Sequence, residues 1–470
     1  MLQLLHILDE KHTVDPGIEE FTLTKADKVE LNIMENIAFF LTSRNTDVVA
    51  VTLHKGIPLT FVLAKNRGVP NEKDMLIAKE FFCGMRDASS WRDVMPCIIS
   101  NGADRVNKML AAVSTFQFEG ILPGEPPYVA GELYEEFSET VADRFAELFN
   151  TRDPLEILKG LFHRVRDRAN FEVDPKCTTN PDELSSHLDK FALVTATAEC
   201  LLLTKFLTEH IDRGVGWALD YRTRVRQVSR YIQGITDLIG FRRRFILAGS
   251  NIHYVWLADV HGGGSEEEPN GVGLQLSDSA WTAIQNLSGS LRSYEAISND
   301  DYYTNPKSPK LEGQWAPIIQ PIRHVVPRMI FHLDRDQFYT AYPRLIGTSA
   351  QLCMCCALWL TEYDDSGGWR RKWKTSNREH GVDIGADWKL DGSAGTRLSL
   401  RADNDVYEVV RKRVIEVLKE AGLLQEAEVD VTSLAGIKWN SVDVAELLED
   451  RWDQAWLHND SYPDDPMQED

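Results

Sequence analysis

From Lys25 to about Phe245, apolar residues recur at spacings of three and four, and this period constrains the fold more than any other feature of the sequence. It is clear in VELNIMENIAFFL, DRVNKMLAAV, EEFSETVADRFAELF and DELSSHLDKFALVTATAECLLLTKFL, and it is typical of amphipathic helices. One exception is DVVAVTLHKGIPLTFVLAK, where two β-rich runs flank a Lys-Gly pair and predict a hairpin. We therefore predict a mostly α-helical N-terminal region over residues 1–250, with a hairpin near 47–65.

A break in this pattern occurs at HGGGSEEEPNGVG, which is rich in glycine and has no apolar period. It predicts a linker or long loop over residues 251–275. Helical and strand-like stretches then alternate over residues 276–425, as in an α/β domain. Residues 426–470 form a C-terminal extension that ends in the acidic tail SYPDDPMQED. The predicted fold class is α+β overall, and a length of 470 residues indicates at least two domains.

The charge of the chain limits its partners. A formal net charge of -21, from 72 acidic and 51 basic residues, opposes non-specific binding to nucleic acid, so any such contact must be local. The N-terminus MLQLLHILDEKH lacks a basic region and a cleavage site, and the longest apolar run contains Glu199 and Lys205. We expect neither secretion nor a membrane partner, and a location in the cytoplasm or nucleus.

Three of the seven cysteines lie within four positions, and Cys353 and Cys356 have the C-x-x-C spacing. At the start of a helix this spacing directs both sulfurs to one side, which suits a metal. Since the chain has a single C-x-x-C, further ligands must be histidine or carboxylate. His324 precedes this pair by a helix and a strand, whereas His332 lies mid-helix and is expected to be a packed core residue. The alternative is that Cys353, Cys355 and Cys356 are small buried hydrophobes.

A family resemblance is carried by three runs between His324 and Trp388, namely HVVPRMIFHL, LIGTSAQLCMCCALWL and TSNREHGVDIGADW. They resemble the fungal nucleic acid/nucleotide deaminase-like proteins of the cytidine-deaminase-like superfamily, with their H-x-E followed by C-x-x-C. The resemblance implies a deaminase-like α/β fold for residues 276–425. It also implies that His324, Cys353 and Cys356 are zinc ligands, with water as the fourth ligand of an active enzyme.

The sequence departs from this family at the position that matters most for catalysis. The glutamate two residues after the histidine is Val326 here, the proline before the first cysteine is Leu352, and the lysine after the Gly-x-Ser turn is Ala350. In zinc deaminases that glutamate moves protons between the metal-bound water and the base. Valine cannot do so, and no catalytic residue is therefore assigned.

Three hypotheses about function remain open at this stage. The first is a pseudoenzyme that keeps zinc and has a binding or scaffolding role. The second is an active zinc-dependent nucleobase or nucleotide deaminase that uses another carboxylate. Asp334 and Asp336 lie about three helical turns from His324 and should not reach a metal there, which leaves Glu362 or Asp364. The third is a metal-free helical interaction protein whose cysteines are only core.

A basic and aromatic stretch, GGWRRKWKTSNR, follows the cysteine helix. Aromatic faces interleaved with cations are typical of sites for a nucleotide or single-stranded nucleic acid. The residues predicted to contact such a substrate are Trp369, Arg370, Arg371, Trp373 and Lys374. The alternative is that these cations form ion pairs within the acidic chain. A protein partner is the expectation for the helical N-terminal region.

Overall fold

A computed structural model describes residues 1–9, 23–42, 48–66, 69–117, 154–202, 216–246, 250–257, 274–291, 293–319, 324–335, 344–350, 352–367, 372–375, 388 and 397–427. Over this part of the chain the protein is α+β, with mostly helices and a small mixed sheet. The predicted fold class is confirmed at that level. The central part of the predicted linker, 258–273, and nearly all of the predicted extension lie outside the described residues.

The N-terminal helices follow the apolar period of the sequence. They are α1 (Leu2–Leu8), α2 (Lys25–Leu41), α3 (Glu72–Asp87), α4 (Trp91–Ser114), α5 (Pro154–Ala169), α6 (Pro181–Leu202) and α7 (Gly216–Phe245), with a short 3-10 helix at Pro175–Thr179. Thr24 and Asp27 cap the start of α2 reciprocally, which satisfies backbone N–H groups that the helix leaves unpaired. The helix predicted for EEFSETVADRFAELF lies outside the described residues.

Eight strands are present in the described residues. They are β1 (Val49–His54), β2 (Thr60–Lys65), β3 (His253–Trp256), β4 (Leu274–Gln275), β5 (Tyr294–Ala296), β6 (Ile318–Ile319), β7 (Gly347–Thr348) and β8 (Leu424–Glu426). The main sheet has the order β3-β2-β1-β7. Strands β1 and β2 form an antiparallel hairpin, β7 pairs antiparallel with β1, and β3 pairs parallel with β2. Strand β3 lies within the range 251–275 that the sequence assigns to a linker.

Within the described ranges six helices follow β3, and the N-terminal helix α1 packs with them. They are α8 (Ala280–Gly289), α9 (Asn299–Thr304), α10 (Ser308–Gln314), α11 (Val325–Arg335), α12 (Met354–Gly367) and α13 (Arg397–Glu420). Helix α1 packs against α13, and Arg413 forms an ion pair of 3.1 Å with Asp9. Residues 1–9 therefore pack with the C-terminal elements, which the apolar period of α1 does not reveal.

The sheet lies between two clusters of buried side chains. Val49, Val51 and Leu53 of β1 point into the cluster formed mainly by α2–α7, which we call the N-terminal core. Ala50 of β1 and Val62 of β2 point into the cluster that contains α1, α8 and α11–α13, which we call the C-terminal core. This alternation follows from the two-residue period of a strand. Because the sheet borders both cores, the division into separate domains stays a prediction.

Strand β7 approaches α2 so closely that it needs a glycine. A Cβ atom at Gly347 would lie 2.5 Å from the backbone nitrogen of Glu35 and 2.6 Å from the Cβ of Met34. Neither atom belongs to the flexible end of a side chain, so either the strand or the helix would have to shift. This contact fixes the position of β7 against α2, and the segment that carries the cysteines follows β7.

We expect Gly347→Ala to lower the free energy of unfolding by about 1–3 kcal/mol, the usual cost of overpacking a core. Gly240→Ala is the matched control, because a Cβ atom there has no neighbour within 4 Å and helix-interior alanine is favoured by about 0.5–1 kcal/mol. Denaturant unfolding of both variants measures the difference. Equal stability of the two would contradict the packing argument.

Candidate metal centre

His324 immediately precedes α11, whose position on the sheet is fixed by polar and apolar contacts. One side of α11 packs in the C-terminal core through Val326, Met329 and Ile330. Arg328 donates from Nη1 to the backbone oxygen of Lys65 at the end of β2, at 3.0 Å. His324 therefore lies at the start of a helix that is anchored to the hairpin.

The cysteines reach the same place by way of β7. Ser349 after β7 is bonded twice to Val49 of β1, its Oγ accepting at 3.0 Å and its backbone N–H donating at 2.9 Å. Cys353 then immediately precedes α12, and its Sγ accepts the backbone N–H of Cys356 at 3.4 Å. Cys353 thus occupies the capping position of the helix, and the C-x-x-C spacing directs both sulfurs to His324.

The three side chains predicted as ligands meet in space. His324 Nδ1 lies 3.2 Å from the sulfur of Cys353 and 3.3 Å from that of Cys356, and the three candidate ligand atoms all lie within 4.8 Å of one another. Around zinc, bonds of about 2.3 Å to sulfur and about 2.0 Å to nitrogen separate the two kinds of atom by roughly 3.5 Å. The cluster can hold a metal ion with only a small outward movement.

The two thiols differ in their electrostatics, although both are buried. Burial by itself raises the pKa of Cys353, but hydrogen bonds with Cys356 and His324 outweigh it and lower that pKa to about 6. The pKa of Cys356 is raised, first by burial and then by the neighbouring Cys353 sulfur. The first negative charge of the pair is therefore held on Cys353, at the helix start, where the helix dipole also favours it.

Two further residues of this region are not part of the cluster. Cys355 is fully buried in the C-terminal core and does not belong to the group of candidate ligands. His332 is also outside that group, as expected for a histidine in mid-helix. The core position predicted for Cys355 is confirmed, whereas His332 is only partly buried.

Among the described residues, the cluster contains no carboxylate. Val326 is buried in the C-terminal core with 1% of its surface exposed. Asp334 accepts a hydrogen bond from Tyr363 at 2.7 Å and pairs with Arg344. Asp364, one of the two carboxylates that the sequence left open, is buried and accepts the backbone N–H of Trp373 at 2.9 Å. Asp334 and Asp364 therefore hold neighbouring segments together through hydrogen bonds and an ion pair.

The residues predicted to contact substrate are only partly described. Trp373 is buried with 1% exposure in the C-terminal core, and Lys374 forms an ion pair of 3.1 Å with Asp27 at the start of α2. The intramolecular ion pair that the sequence offered as an alternative is therefore present for Lys374. Trp369, Arg370 and Arg371 lie outside the described residues. Substrate contact stays a prediction for the whole stretch.

Trp388 ends the sequence resemblance, and the sequence assigns it no chemistry. Its indole nitrogen is buried, and the indole acts to lower the pKa of the Cys356 thiol, against the larger effect of burial.

Comparisons with protein-family models, with curated proteins and with solved structures find no match to this chain. Among the helices of the described ranges, none combines the length and the apolar character that a bilayer crossing requires.

We expect Cys355→Ala to lower the free energy of unfolding by about 1 kcal/mol, because it leaves a small void in a packed core. The matched control is Cys83→Ala, since Cys83 is exposed and its loss should change stability by less than about 0.5 kcal/mol. Denaturant unfolding checks both values. A larger loss for Cys83 than for Cys355 would contradict the assignment of Cys355 to the core.

Proposed function

We propose that this protein is a deaminase-like pseudoenzyme that binds one zinc ion through His324, Cys353 and Cys356 and acts by binding or scaffolding. The observation that carries the proposal is the convergence of one imidazole nitrogen on two thiol sulfurs at 3.2 Å and 3.3 Å. Three such ligands on the starts of two helices are more than packing requires. Supporting evidence comes from the run of sequence between His324 and Trp388 that resembles deaminases.

The nitrogen and sulfur atoms of the candidate ligands indicate which metal would bind. One imidazole and two thiolates form a borderline-soft set that suits zinc, whereas oxygen ligands would suit magnesium or calcium. Three protein ligands leave a fourth tetrahedral position for water or a bound group. When bound, the ion would act as a Lewis acid at that position. The protein residues would hold the ion between α11 and α12.

No carboxylate of the described residues is placed at the cluster to transfer a proton, which argues against catalysis. Proton transfer by a positioned carboxylate typically contributes 10² to 10⁴-fold to such a reaction, and the equivalent position here is the buried Val326. In the described residues around the cluster no other carboxylate takes that place. The zinc site would therefore stabilise the fold and present a position for a ligand, with a nucleotide or single-stranded nucleic acid as the expected chemistry.

Metal content is the direct test of the zinc site. Protein purified without added metal should contain about one zinc per chain, and both His324→Ala and Cys356→Ser should lose it. Cys355→Ser is the matched control, because it changes a thiol beside the site that is not among the candidate ligands. Elemental analysis gives the readout. A wild-type protein without zinc would overturn the proposal and favour the metal-free interaction protein.

Activity measurements test the pseudoenzyme assignment separately. We expect the zinc-loaded wild type to release no ammonia from cytidine, adenosine or single-stranded oligonucleotides. Val326→Glu should raise release by about 10² to 10⁴-fold over that background, since it restores the group that transfers protons. Val326→Gln is the control, because it places a similar polar side chain at the same buried position without an ionisable proton.

Two outcomes would contradict this assignment in different ways. Turnover by the wild type would show an active deaminase with a carboxylate from elsewhere in the chain. A folded, zinc-loaded Val326→Glu protein without turnover would remove the support for a deaminase ancestry of the site, while leaving zinc binding intact.

A further inference from the structure

A cleft in the N-terminal core lies beside the kink of α4. The kink is at Gly102, whose φ of -140° and ψ of 23° are not helical, and a Cβ atom there would meet no atom within 4 Å. The cleft has a volume of about 390 Å³, which includes its open side. Its walls are mostly apolar, as is usual for ligand sites, and they are formed in part by Phe39, Phe40, Phe81 and Tyr231, with Asn101 and Arg105 among the polar groups.

Arg105 uses only part of its guanidinium group within the protein. Its Nη1 donates to the backbone oxygens of Phe39 and Thr42 at the end of α2, to the latter at 3.2 Å, where the helix dipole favours a cation. Its Nε and Nη2 donate to no acceptor in the described residues, and neither belongs to the buried atoms that lack both a partner and contact with solvent. One end of the guanidinium therefore caps α2, and the other end is accessible at the cleft.

Positive charge is in excess around the Phe39 ring. The guanidinium carbons of Arg105 and Arg230 lie 4.2 Å and 5.1 Å from the centre of that ring. Glu35 accepts a hydrogen bond from Arg230 at 3.4 Å, whereas Arg105 forms no ion pair within the described ranges. Burial lowers the pKa of Arg105, and the charge of Arg230 also acts to lower it. An anion in the cleft would offset the cost of this largely buried and uncompensated charge.

We propose that the cleft binds a short-chain aliphatic carboxylate, which accepts hydrogen bonds from Nε and Nη2 of Arg105 and packs its alkyl chain against the phenylalanine rings. Two neighbouring N–H groups of a guanidinium match the two oxygens of a carboxylate. The apolar walls favour an alkyl chain over an inorganic anion, because the chain removes apolar surface from water. The cleft shares no residue with the metal cluster, so this inference does not depend on the proposed function.

Cys97 reports whether the cleft is occupied, because it lines the same space. It is partly exposed, and Cys83 on α3 is an exposed reference thiol. Burial raises the pKa of Cys97 to about 11, so its alkylation by iodoacetamide should be slow, and peptide mass spectrometry can follow both thiols in the full-length protein. At about ten times its dissociation constant, butyrate should slow alkylation of Cys97 about 10-fold, since this is the factor by which it depletes the unoccupied protein. The rate at Cys83 should stay unchanged.

Butanamide is the matched control ligand, because it has nearly the same shape as butyrate and carries no charge. We expect it to leave Cys97 unprotected at the same concentration, with sodium chloride keeping the ionic strength equal. Equal protection by butyrate and butanamide would overturn the role of the guanidinium charge. No protection by butyrate up to about 100 mM, where a site of millimolar affinity would be filled, would overturn the site itself.

A pair of variants tests Arg105 directly. Arg105→Gln removes the charge and keeps a polar side chain, and we expect it to weaken butyrate binding by about 10 to 100-fold, the usual effect of losing hydrogen bonds between charged groups. Arg92→Gln is the matched control, because Arg92 lies on the same helix and pairs with Asp189 at 2.6 Å. It should bind butyrate as the wild type does. The dependence of the Cys97 alkylation rate on butyrate concentration gives each dissociation constant.

A folded Arg105→Gln protein that binds butyrate as tightly as the wild type would overturn the inference. Circular dichroism establishes whether the variant is folded. If the loss of the α2 cap unfolds it, the comparison of butyrate with butanamide on the wild type still decides the question.

Discussion

The antiparallel pairing of β1 with its two neighbours is the interaction on which the rest of the structure depends. On one side β1 forms the hairpin with β2, and on the other Ala50 and Val51 pair with Thr348 and Gly347. His324 precedes α11, which is anchored to the end of β2, and Cys353 and Cys356 follow β7. The same two hydrogen-bonded ladders therefore position all three candidate ligands, although His324 follows the hairpin by more than 250 residues of sequence. A shift of either ladder would separate the histidine from the sulfurs.

The electrostatics of the centre follow from this arrangement. His324 and Cys353 each stand immediately before a helix, where unpaired N–H groups and the helix dipole favour negative charge. Two buried thiolates without a cation would repel each other, and the raised pKa of Cys356 reflects that as well as its burial. A divalent cation removes the repulsion and compensates the cost of burying charge. The same geometry that makes a second thiolate unfavourable in the metal-free protein would make it a good ligand for such a cation.

Local patterns in the sequence predicted those parts that depend on local physics. Helical period located α2, α4 and α6, and β-rich runs located the hairpin, because burial of one face dictates both patterns. The meeting of Cys353 and Cys356 on one side of a helix start was predictable for the same reason, since the C-x-x-C spacing fixes where both sulfurs point. His324 was added to this candidate set from its spacing and from the family resemblance. The sequence did not reveal which elements α1, β3 and Lys374 contact, because tertiary packing across long sequence separations determines these contacts.

If the proposed function holds, Val326 at the position of the deaminase carboxylate separates two tasks, metal coordination and proton transfer, that one helix start would otherwise perform. Burying a valine side chain contributes about 1.5–3 kcal/mol, whereas a carboxylate among Met329 and Ile330 would need a cation or donors to offset its desolvation. A protein would keep a carboxylate at this buried position only where its reaction requires proton transfer. With valine there, α11 gains packing against the C-terminal core and keeps His324 in place. In the proposed pseudoenzyme the site would retain coordination, which needs only geometry and lone pairs, and would lack acid/base chemistry, which needs a titrating group beside the metal.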